Sequence, residues 1–277
     1  MKIAHLILAH NHPTQLDRLV KRIVNEQADV YIHLDKKTDI TPFVHLEKLA
    51  NVFFVKERVV VKWGEYSVIK ATLEGMKAIL ATKITYTHIN LLSGNDYPLK
   101  SNDTIQQYLF ANYGKSFMWF DRIFNDWPEG QLRCNKYDFG DYGFPGRYQL
   151  TKLSNTFLPN RKPPYKLVPY GRSQWLTITP TCAEYVLNYL KNHSKAANYF
   201  RLTWCVDEIF FQTILCNSPL STTLINNNLR HIPIDNECRP YTFTSTDVTE
   251  LKASGKFYAR KFDFEKDETI FNLLDED

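Results

Sequence analysis

Residues 3–24, IAHLILAHNHPTQLDRLVKRIV, contain the two patterns that decide the fold. Residues 3–9 are an apolar run of the length expected for a buried strand. The apolar residues that follow recur at i, i+3, i+4, i+7 and i+8, which predicts a helix with one inward face: Leu16, Leu19, Val20, Ile23 and Val24. A strand followed directly by such a helix is the repeating unit of a parallel sheet.

The same alternation continues through the first third of the chain. Apolar runs and helical periods predict strands at 30–35, 52–55 and 87–92 and a helix at 67–80. Alternating strands and helices predict an α/β fold, Rossmann-like in its N-terminal half, with a mostly parallel central sheet flanked by helices. Ligands of such sheets bind at the carboxyl ends of the strands, where His10, Asp35 and residues 93–96 are expected.

The chain changes in character after residue 111. Residues 112–172 are rich in Tyr, Phe, Gly, Pro and Asn without a clear period, which predicts long ordered loops or short antiparallel strands. A strand at 174–179 and a helix at 181–192 follow. We predict a single domain over 1–277, in which 1–111 and 112–277 differ in pattern.

Composition narrows the class of protein. The 277 residues are 23% charged and 44% hydrophobic, as in ordinary globular domains. A net charge of +4 is too small to indicate nucleic-acid binding but suits anionic small molecules or peripheral contact with a membrane. Five cysteines without a C-x-x-C pair favour a reduced, intracellular protein. The apolar run at the start is too short for a signal peptide, so we expect a cytoplasmic location.

The segment TWCVDEIFFQTIL, residues 203–215, places Asp207 and Glu208 beside an otherwise apolar run. Wound as a helix, it puts Glu208 on the same side as Phe211, Gln212 and Leu215. Burial disfavours an ionised carboxylate, so such a group has firm hydrogen-bond partners or is adjusted for proton transfer. The alternative is an ordinary helix N-terminus, where acidic residues favour the helix dipole.

A metal site is a second candidate. His10 and His12 form an H-x-H pattern, and His33 and Asp35 end the next strand, as in metal-dependent hydrolases. The chain has neither G-x-G-x-x-G nor a Walker A sequence. Its one D-x-D occupies residues 275–277, where we expect a frayed acidic tail.

Cationic side chains offer a way to bind a diphosphate without a metal. Arg239 lies in CRPYTFT, and Arg260 and Lys261 are adjacent in FYARKFDF. Such groups can neutralise the charge on a leaving diphosphate.

Together, eight segments resemble the core-2/I-branching glycosyltransferase family, which includes β-1,6-N-acetylglucosaminyltransferases and peptide O-xylosyltransferases. They run in order along nearly the whole chain: LILAHNHPTQLDRLV, YIHLDKK, KWGEYSVIKATLEGM, INLLSGNDYPLKSN, GRSQWLTIT, VDEIFFQTILCNS, INNNLR and FYARKFD. Eukaryotic relatives also carry a membrane anchor and disulfides, which are not seen in this sequence. The resemblance is therefore to a bacterial, cytoplasmic enzyme that builds a surface polysaccharide or glycoconjugate.

The resemblance implies a GT-A-type fold and an inverting transfer of a sugar from a UDP-sugar to a hydroxyl of a glycan or glycolipid acceptor. It implies no metal or other cofactor. It also implies one catalytic domain over 1–277, with a nucleotide-binding half at 1–111 and an acceptor-binding and catalytic half at 112–277. Glu208 is the implied general base, Arg260 and Lys261 the diphosphate clamp, and Arg239 a further phosphate-binding residue. Asp35 corresponds to the residue that recognises uracil. We predict that His10 and Arg58 complete the nucleotide site.

The donor sugar is expected to contact Trp63 and Gln174, with Asp96 and Asp207 nearby. Xylosyltransferases carry Asp where this chain has Gln174, which favours N-acetylglucosamine over xylose. Xylose or another UDP-linked sugar, a metal-dependent hydrolase using His10 and His12, and a non-catalytic carbohydrate-binding module remain the alternatives. Acceptor contacts are expected from residues 112–172, with Trp127, Glu129 and Arg133 as candidates.

Overall fold

The computed structural model describes residues 1–234 and 240–276. The strands are β1 (Lys2–Ala9), β2 (Ala28–Leu34), β3 (Val52–Phe54), β4 (Tyr86–Ser93), β5 (Asp96–Pro98), β6 (Ser116–Arg122), β7 (Tyr170–Ile178), β8 (Leu224–Asn226), β9 (Arg230–His231) and β10 (Tyr258–Arg260). The helices are α1 (Pro13–Ile23), α2 (Tyr66–Leu80), α3 (Asn102–Ala111), α4 (Ile123–Asp126), α5 (Gln131–Asn135), α6 (Arg147–Phe157), α7 (Pro180–Asn192), α8 (Ser194–Arg201), α9 (Phe210–Cys216), α10 (Val248–Ala253) and α11 (Thr269–Asp275).

The central sheet has the strand order β3-β2-β1-β4-β7-β6-β8 in the described chain. Within it, β7 alone runs opposite to the rest, because it pairs antiparallel with both β4 and β6. The predicted α/β class, with a mostly parallel sheet flanked by helices, is confirmed. Both predicted halves contribute strands to this one sheet. A smaller sheet, β5-β10-β9, places Arg260 directly opposite Asp96.

Both faces of the central sheet are covered by apolar side chains. Successive residues of a strand point to opposite faces, and β1 accordingly sends Ile7 into one cluster and Leu6 into the other. The first cluster takes its helical layer partly from α1, whose inward residues are those that the sequence predicts: Leu16, Leu19, Val20 and Ile23. The second is covered by α2, α7 and α9. None of the helices in the described residues is long and apolar enough to cross a bilayer.

Residues 112–172 differ from the prediction. β6 does pair antiparallel with β7, but the segment also holds three helices, including the 11-residue α6. Periodicity misses α6 because its one buried residue is Ser154, while several of its apolar side chains are exposed. The inward apolar face on which such predictions depend is absent from this helix.

The segment 203–215 is not one helix. A 3-10 turn covers Val206–Glu208, and α9 begins only at Phe210. Cys205 starts this turn with a left-handed backbone, at φ 48°. Both carboxylates therefore precede α9 rather than occupying its first turn.

The expectation of a frayed C-terminal tail is wrong for Asp275. Its carboxylate pairs with Arg18 at 2.8 Å and with Arg22 at 3.0 Å, and it accepts a hydrogen bond from the hydroxyl of Tyr97. These contacts fix α11 against α1. Asp277 lies outside the described residues.

Candidate active site

Three neighbouring strand ends form the sheet edge at which the sequence predicts ligand binding. Strands β2, β1 and β4 are adjacent and parallel. Their carboxyl ends lead into Asp35, His10 and the turn at residues 93–96 respectively. Parallel strands bring their carboxyl ends to the same edge, so these three segments line one side of a common site.

Glu208 lies in the 3-10 turn that packs against β7. A Cβ atom added to Gly171 of β7 would lie 2.6 Å from the carbonyl oxygen of Glu208, so glycine allows the close approach. The Glu208 side chain is 31% exposed, and its Oε2 lies 2.5 Å from Nη2 of Arg133. Burial raises the pKa of Glu208 to about 7, although Arg133 acts in the opposite direction. A carboxylate with this pKa can accept a proton at neutral pH.

Arg133 is held by aromatic rings as well as by Glu208. Its guanidinium carbon lies 4.8 Å from the ring centroid of Trp127 and 5.9 Å from that of Trp204. One of its nitrogens also donates to the carbonyl oxygen of Glu129 at 3.3 Å. Such cation–π contacts restrict the guanidinium while leaving it charged. The sequence includes Arg133 only among several acceptor candidates, and its pairing with Glu208 was missed because 75 residues separate them (208 − 133).

Asp207 is directed into the same region. Burial raises its pKa, while its own backbone amide, Arg133 and Arg260 act to lower it. Its Oδ1 atom is buried and has no hydrogen-bond partner among the residues that the structure describes. A buried acceptor without a partner is costly unless a ligand satisfies it, so Asp207 is suited to hold a hydroxyl group of a substrate.

Arg260 is positioned by Asp96 and Trp175. Its Nη1 atom lies 2.7 Å from Oδ1 of Asp96, and its guanidinium carbon lies 4.4 Å from the centroid of the Trp175 ring. Burial raises the pKa of Asp96, and Arg260 opposes that change. Asp96 is only 1% exposed and lies beneath Arg260, so in this structure it orients the cation. Its predicted contact with the donor sugar remains untested.

Lys261 follows in a backbone segment fixed on both sides. Its amide donates to the carbonyl oxygen of Tyr241, and its own carbonyl accepts from the amide of Phe243. The amide of the neighbouring Phe262 donates to the carbonyl oxygen of Asn95, and the side-chain amide of Asn95 donates to the carbonyl oxygen of Phe262, which ties this segment to the turn after β4. The two predicted clamp residues therefore belong to the same rigid corner as the strand ends. Arg239 lies outside the described residues.

The predicted nucleotide residues form a loop network after β2. Asp35 is buried, and its Oδ1 accepts from the amide of Lys37 at 2.9 Å. Arg58 donates to the carbonyl oxygens of Leu34 at 3.0 Å and of Asp35 at 2.8 Å, which fixes the loop. Burial lowers the pKa of His10, with Asp35 acting in the opposite direction and Arg260 in the same one. The charges of Asp35 and Arg260 thus both act on His10.

The two residues predicted to line the donor sugar lie in different settings. Trp63 is 81% exposed, with its ring edge-on to Trp204 at 6.0 Å between centroids. Its neighbour Gly64 accepts a hydrogen bond from the amide of Cys205, so the Trp63 loop is tied to the turn that carries Glu208. Gln174 has a buried Nε2 atom without a hydrogen-bond partner in the described part of the chain. That amide is free to donate to a ligand.

The residues of the alternative metal site do not come together as ligands. Within residues 1–234 and 240–276, no group of three His, Cys, Asp or Glu side chains is arranged to hold a metal ion. His33 uses Nε2 to accept the amide hydrogen of Val59 at 3.0 Å, and His12 pairs with Glu265. His12 and His33 are thus engaged in local contacts.

The close approach of the carboxyl groups of Glu65 and Asp138 was missed by the sequence analysis. Burial, followed by the charges of Asp138 and Asp141, raises the pKa of Glu65 to about 8, while Lys62 acts to lower it. A Cβ atom added to Gly140 would lie 1.8 Å from Oε1 of Glu65, so glycine makes room for this carboxyl group. No local pattern could reveal a contact between residues so far apart along the chain.

The model of the Core-2/I-Branching enzyme family matches residues 3–253. Among curated proteins, the chain is 27% identical to Xylosyltransferase 2 of Rattus norvegicus over 300 residues and 28% identical to Xylosyltransferase 2 of Homo sapiens over 302. It is 25% identical to Xylosyltransferase 1 of Homo sapiens over 301 residues. These alignments cover 99% of this chain but 33%, 33% and 30% of the relatives, so the chain spans about a third of their length.

Two solved structures show a distant likeness. S. aureus TarS 1-349 aligns at a TM-score of 0.42 with 12% identity, covering 92% of this chain and 65% of TarS. The WbbM bifunctional glycosyltransferase aligns at a TM-score of 0.44 with 10% identity, covering 94% of this chain and 45% of WbbM. The family match does not depend on either alignment.

Proposed function

This chain belongs to the core-2/I-branching enzyme family, and from that premise we propose that it is an inverting, metal-independent glycosyltransferase that uses a UDP-sugar. The observation that carries the proposal is the environment of Glu208. Its carboxyl group has a pKa of about 7 and lies in the turn next to Asp207, whose pKa is raised by burial while the charge of Arg260 opposes that rise. A proton acceptor and a phosphate-binding cation thus share one site.

In the proposed reaction, the acceptor hydroxyl gives its proton to Glu208 while its oxygen attacks the anomeric carbon of the donor. The bond between that carbon and the UDP oxygen breaks, and its electron pair leaves on the β-phosphate. Attack from the opposite side inverts the anomeric centre. Arg260 and Lys261 stabilise the departing charge, and one well-placed donor contributes about 3 kcal/mol in comparable sites.

The remaining residues bind the donor in this proposal. Asp35, with His10 and Arg58 around it, holds the uracil end. Trp63, Gln174 and Asp207 contact the sugar. We favour N-acetylglucosamine, because xylosyltransferases carry Asp at the position of Gln174. Xylose is the second candidate, because the curated relatives named above are xylosyltransferases.

We propose a glycan or glycolipid acceptor, used in the synthesis of a bacterial surface polysaccharide or glycoconjugate. The reaction would take place in the cytoplasm, at or near the inner face of the membrane. Support comes from Cys134, Cys182, Cys205 and Cys216, which are all free thiols.

A panel of nucleotide sugars tests the proposal. A bound donor raises the melting temperature in proportion to RT ln(1 + [L]/Kd), so UDP-N-acetylglucosamine should stabilise the protein while GDP- and CMP-linked sugars should not. UDP release with and without acceptor should continue in EDTA. A strict requirement for Mn²⁺ would contradict the cationic clamp. Stoichiometric zinc in the purified protein would favour the hydrolase instead, and absence of donor turnover would favour a binding module.

A further inference from the structure

Helix α6 has its polar side chains facing inward and its apolar side chains facing outward. Ser154 is buried, Thr151 accepts from the amide of Phe139, and Asn155 bonds to both the amide and the carbonyl of Tyr137 at 2.7 and 2.8 Å. The outward side exposes large apolar residues, which we call the α6 face: Leu150 at 39%, Leu153 at 53% and Phe157 at 78%, with Leu158 at 50% directly after the helix. Clustered exposed apolar side chains of this kind mark a surface that has a partner.

The segment that carries the α6 face has charges of one sign. Residues 142–172 contain no Asp or Glu. The cations that flank the α6 face are Arg147, Lys152, Lys162 and Lys166, of which all but Arg147 are exposed. A combination of apolar side chains and basic residues without carboxylates complements a surface that is apolar in depth and anionic at its edge.

Two other partners fit this surface less well. Three of the four side chains of the α6 face are leucines, which lack the flat ring that stacks on a sugar, so a glycan is a poor occupant. In a symmetric dimer the same lysines would face each other without any acidic partner from residues 142–172, which would be repulsive. An anionic phospholipid bilayer satisfies both the apolar and the basic groups.

The α6 face is connected to the candidate active site through short backbone links. Asn155 and Thr151 fix residues 137 and 139, and these directly follow α5, which carries Arg133 to Glu208. A bilayer bound at the α6 face would therefore bring its lipid headgroups close to α5 and to Glu208.

We propose that the α6 face is an interfacial membrane-binding surface, with Leu150, Leu153 and Phe157 inserted among the headgroups of an anionic bilayer and Lys152 and Lys162 bound to lipid phosphates. The identity of the acceptor as a glycolipid rests on the proposed function. The membrane contact itself does not, because it follows from the surface alone.

Vesicle sedimentation tests the contact, using the whole chain with vesicles of phosphatidylcholine or of phosphatidylcholine mixed with phosphatidylglycerol. The wild-type chain should bind the mixed vesicles and lose that binding as salt is raised. Leu153→Glu with Phe157→Glu should reduce binding by about tenfold or more. The matched control is Val44→Glu with Ile84→Glu, which adds the same charges at two other exposed apolar positions, 44% and 40% exposed, and should retain most of the binding.

A second pair of variants separates charge from apolar contact. Lys152→Glu with Lys162→Glu should lose binding, and Lys152→Arg with Lys162→Arg should keep it, because arginine preserves the charge. Thermal shift with UDP confirms that each variant is folded and leaves the donor site intact. If no nucleotide sugar is a substrate but vesicle binding follows this pattern, the proposed function fails and the membrane surface stands.

Three results would overturn the membrane surface. One is equal binding of the wild type and of Leu153→Glu with Phe157→Glu. Another is equal binding to neutral and anionic vesicles. The third is a dimer in sedimentation velocity that the same double variant abolishes, without binding to either vesicle, which would assign the α6 face to a second copy of the chain.

Discussion

The carboxylate of Glu208 lies 2.5 Å from the guanidinium of Arg133, which is itself held against the rings of Trp127 and Trp204. Two opposing effects act on the pKa of Glu208 in this pair. Burial favours the protonated form of Glu208, and Arg133 favours the ionised form. In the proposed reaction an acceptor hydroxyl approaches the carboxylate beside Arg133, so this cation would both adjust the base and border the path of the acceptor.

Arg133→Gln should move the pH dependence of the reaction. Without the cation, the pKa of Glu208 rises above its present value of about 7, so more of the base is protonated at neutral pH. The acidic limb of the kcat/KM profile should then shift to higher pH. Part of the lost rate should be recovered at pH values above the shifted limb. Arg122→Gln, at an exposed arginine bonded to Tyr170, is the control and should leave the profile in place. An unshifted limb in Arg133→Gln would rule out this coupling.

Asp96→Asn should weaken the diphosphate clamp without removing a cation from it. The substitution keeps the size of the side chain but loses the charge that holds Arg260 at 2.7 Å. We expect UDP to bind more weakly and kcat/KM to fall by about tenfold or more. Isothermal titration with UDP and steady-state kinetics measure the two effects. Glu47→Gln, which neutralises an exposed carboxylate, should change neither, and the clamp assignment fails if Asp96→Asn behaves in the same way.

Gly171→Ala should displace the turn that carries Glu208, although Gly171 takes no part in the proposed reaction. The new methyl group would lie 2.6 Å from the carbonyl oxygen of Glu208, so the turn has to move. Overpacking of this kind costs about 1–3 kcal/mol of stability, and we expect turnover to fall along with it. Gly143→Ala is a matched control because nothing lies within 4 Å of a Cβ atom at that position. Urea unfolding and kcat of both variants provide the measurement, and equal effects would argue against tight packing of β7 on the turn.

Glu65→Gln should flatten the dependence of stability on pH. The pKa of Glu65 is raised by burial from 4.5 to about 8, so between these values the folded chain binds more protons than the unfolded chain. The stabilisation is complete below the ordinary pKa and is lost as the pH rises through about 8. Urea midpoints of the wild type should therefore fall over this window, and those of Glu65→Gln should fall less. Exposed Glu26→Gln should retain the wild-type slope, and the idea is rejected if Glu65→Gln does so too.

The sequence alone predicted those elements of the fold that depend on local patterns. Strand β1 and helix α1 lie close to where periodicity predicts them, because an alternating or 3.6-residue pattern records directly which side chains are buried. The strand ends that carry His10 and Asp35 follow from the same reasoning, since parallel strands end at one edge.

Long-range contacts and unusual helices were not predictable in this way. The turn at Val206–Glu208 depends on the left-handed backbone of Cys205 and on the space above Gly171. The pairing of Asp275 with Arg18 joins the two ends of the described chain. Helix α6 exposes the apolar residues that a pattern-based prediction expects to be buried, because in our interpretation the bilayer takes the place of a protein core.

Replacement of Glu208 by Gln tests the central claim most directly. Glutamine preserves the shape of the side chain but cannot accept the proton of the acceptor hydroxyl, whereas the clamp at Arg260 and Lys261 is left unchanged. Glu184→Gln, at an exposed glutamate on α7, provides the control. We predict that kcat of Glu208→Gln falls by about two orders of magnitude or more while the Kd for UDP stays near that of the wild type. Wild-type turnover in Glu208→Gln would contradict the assignment of Glu208 as the general base.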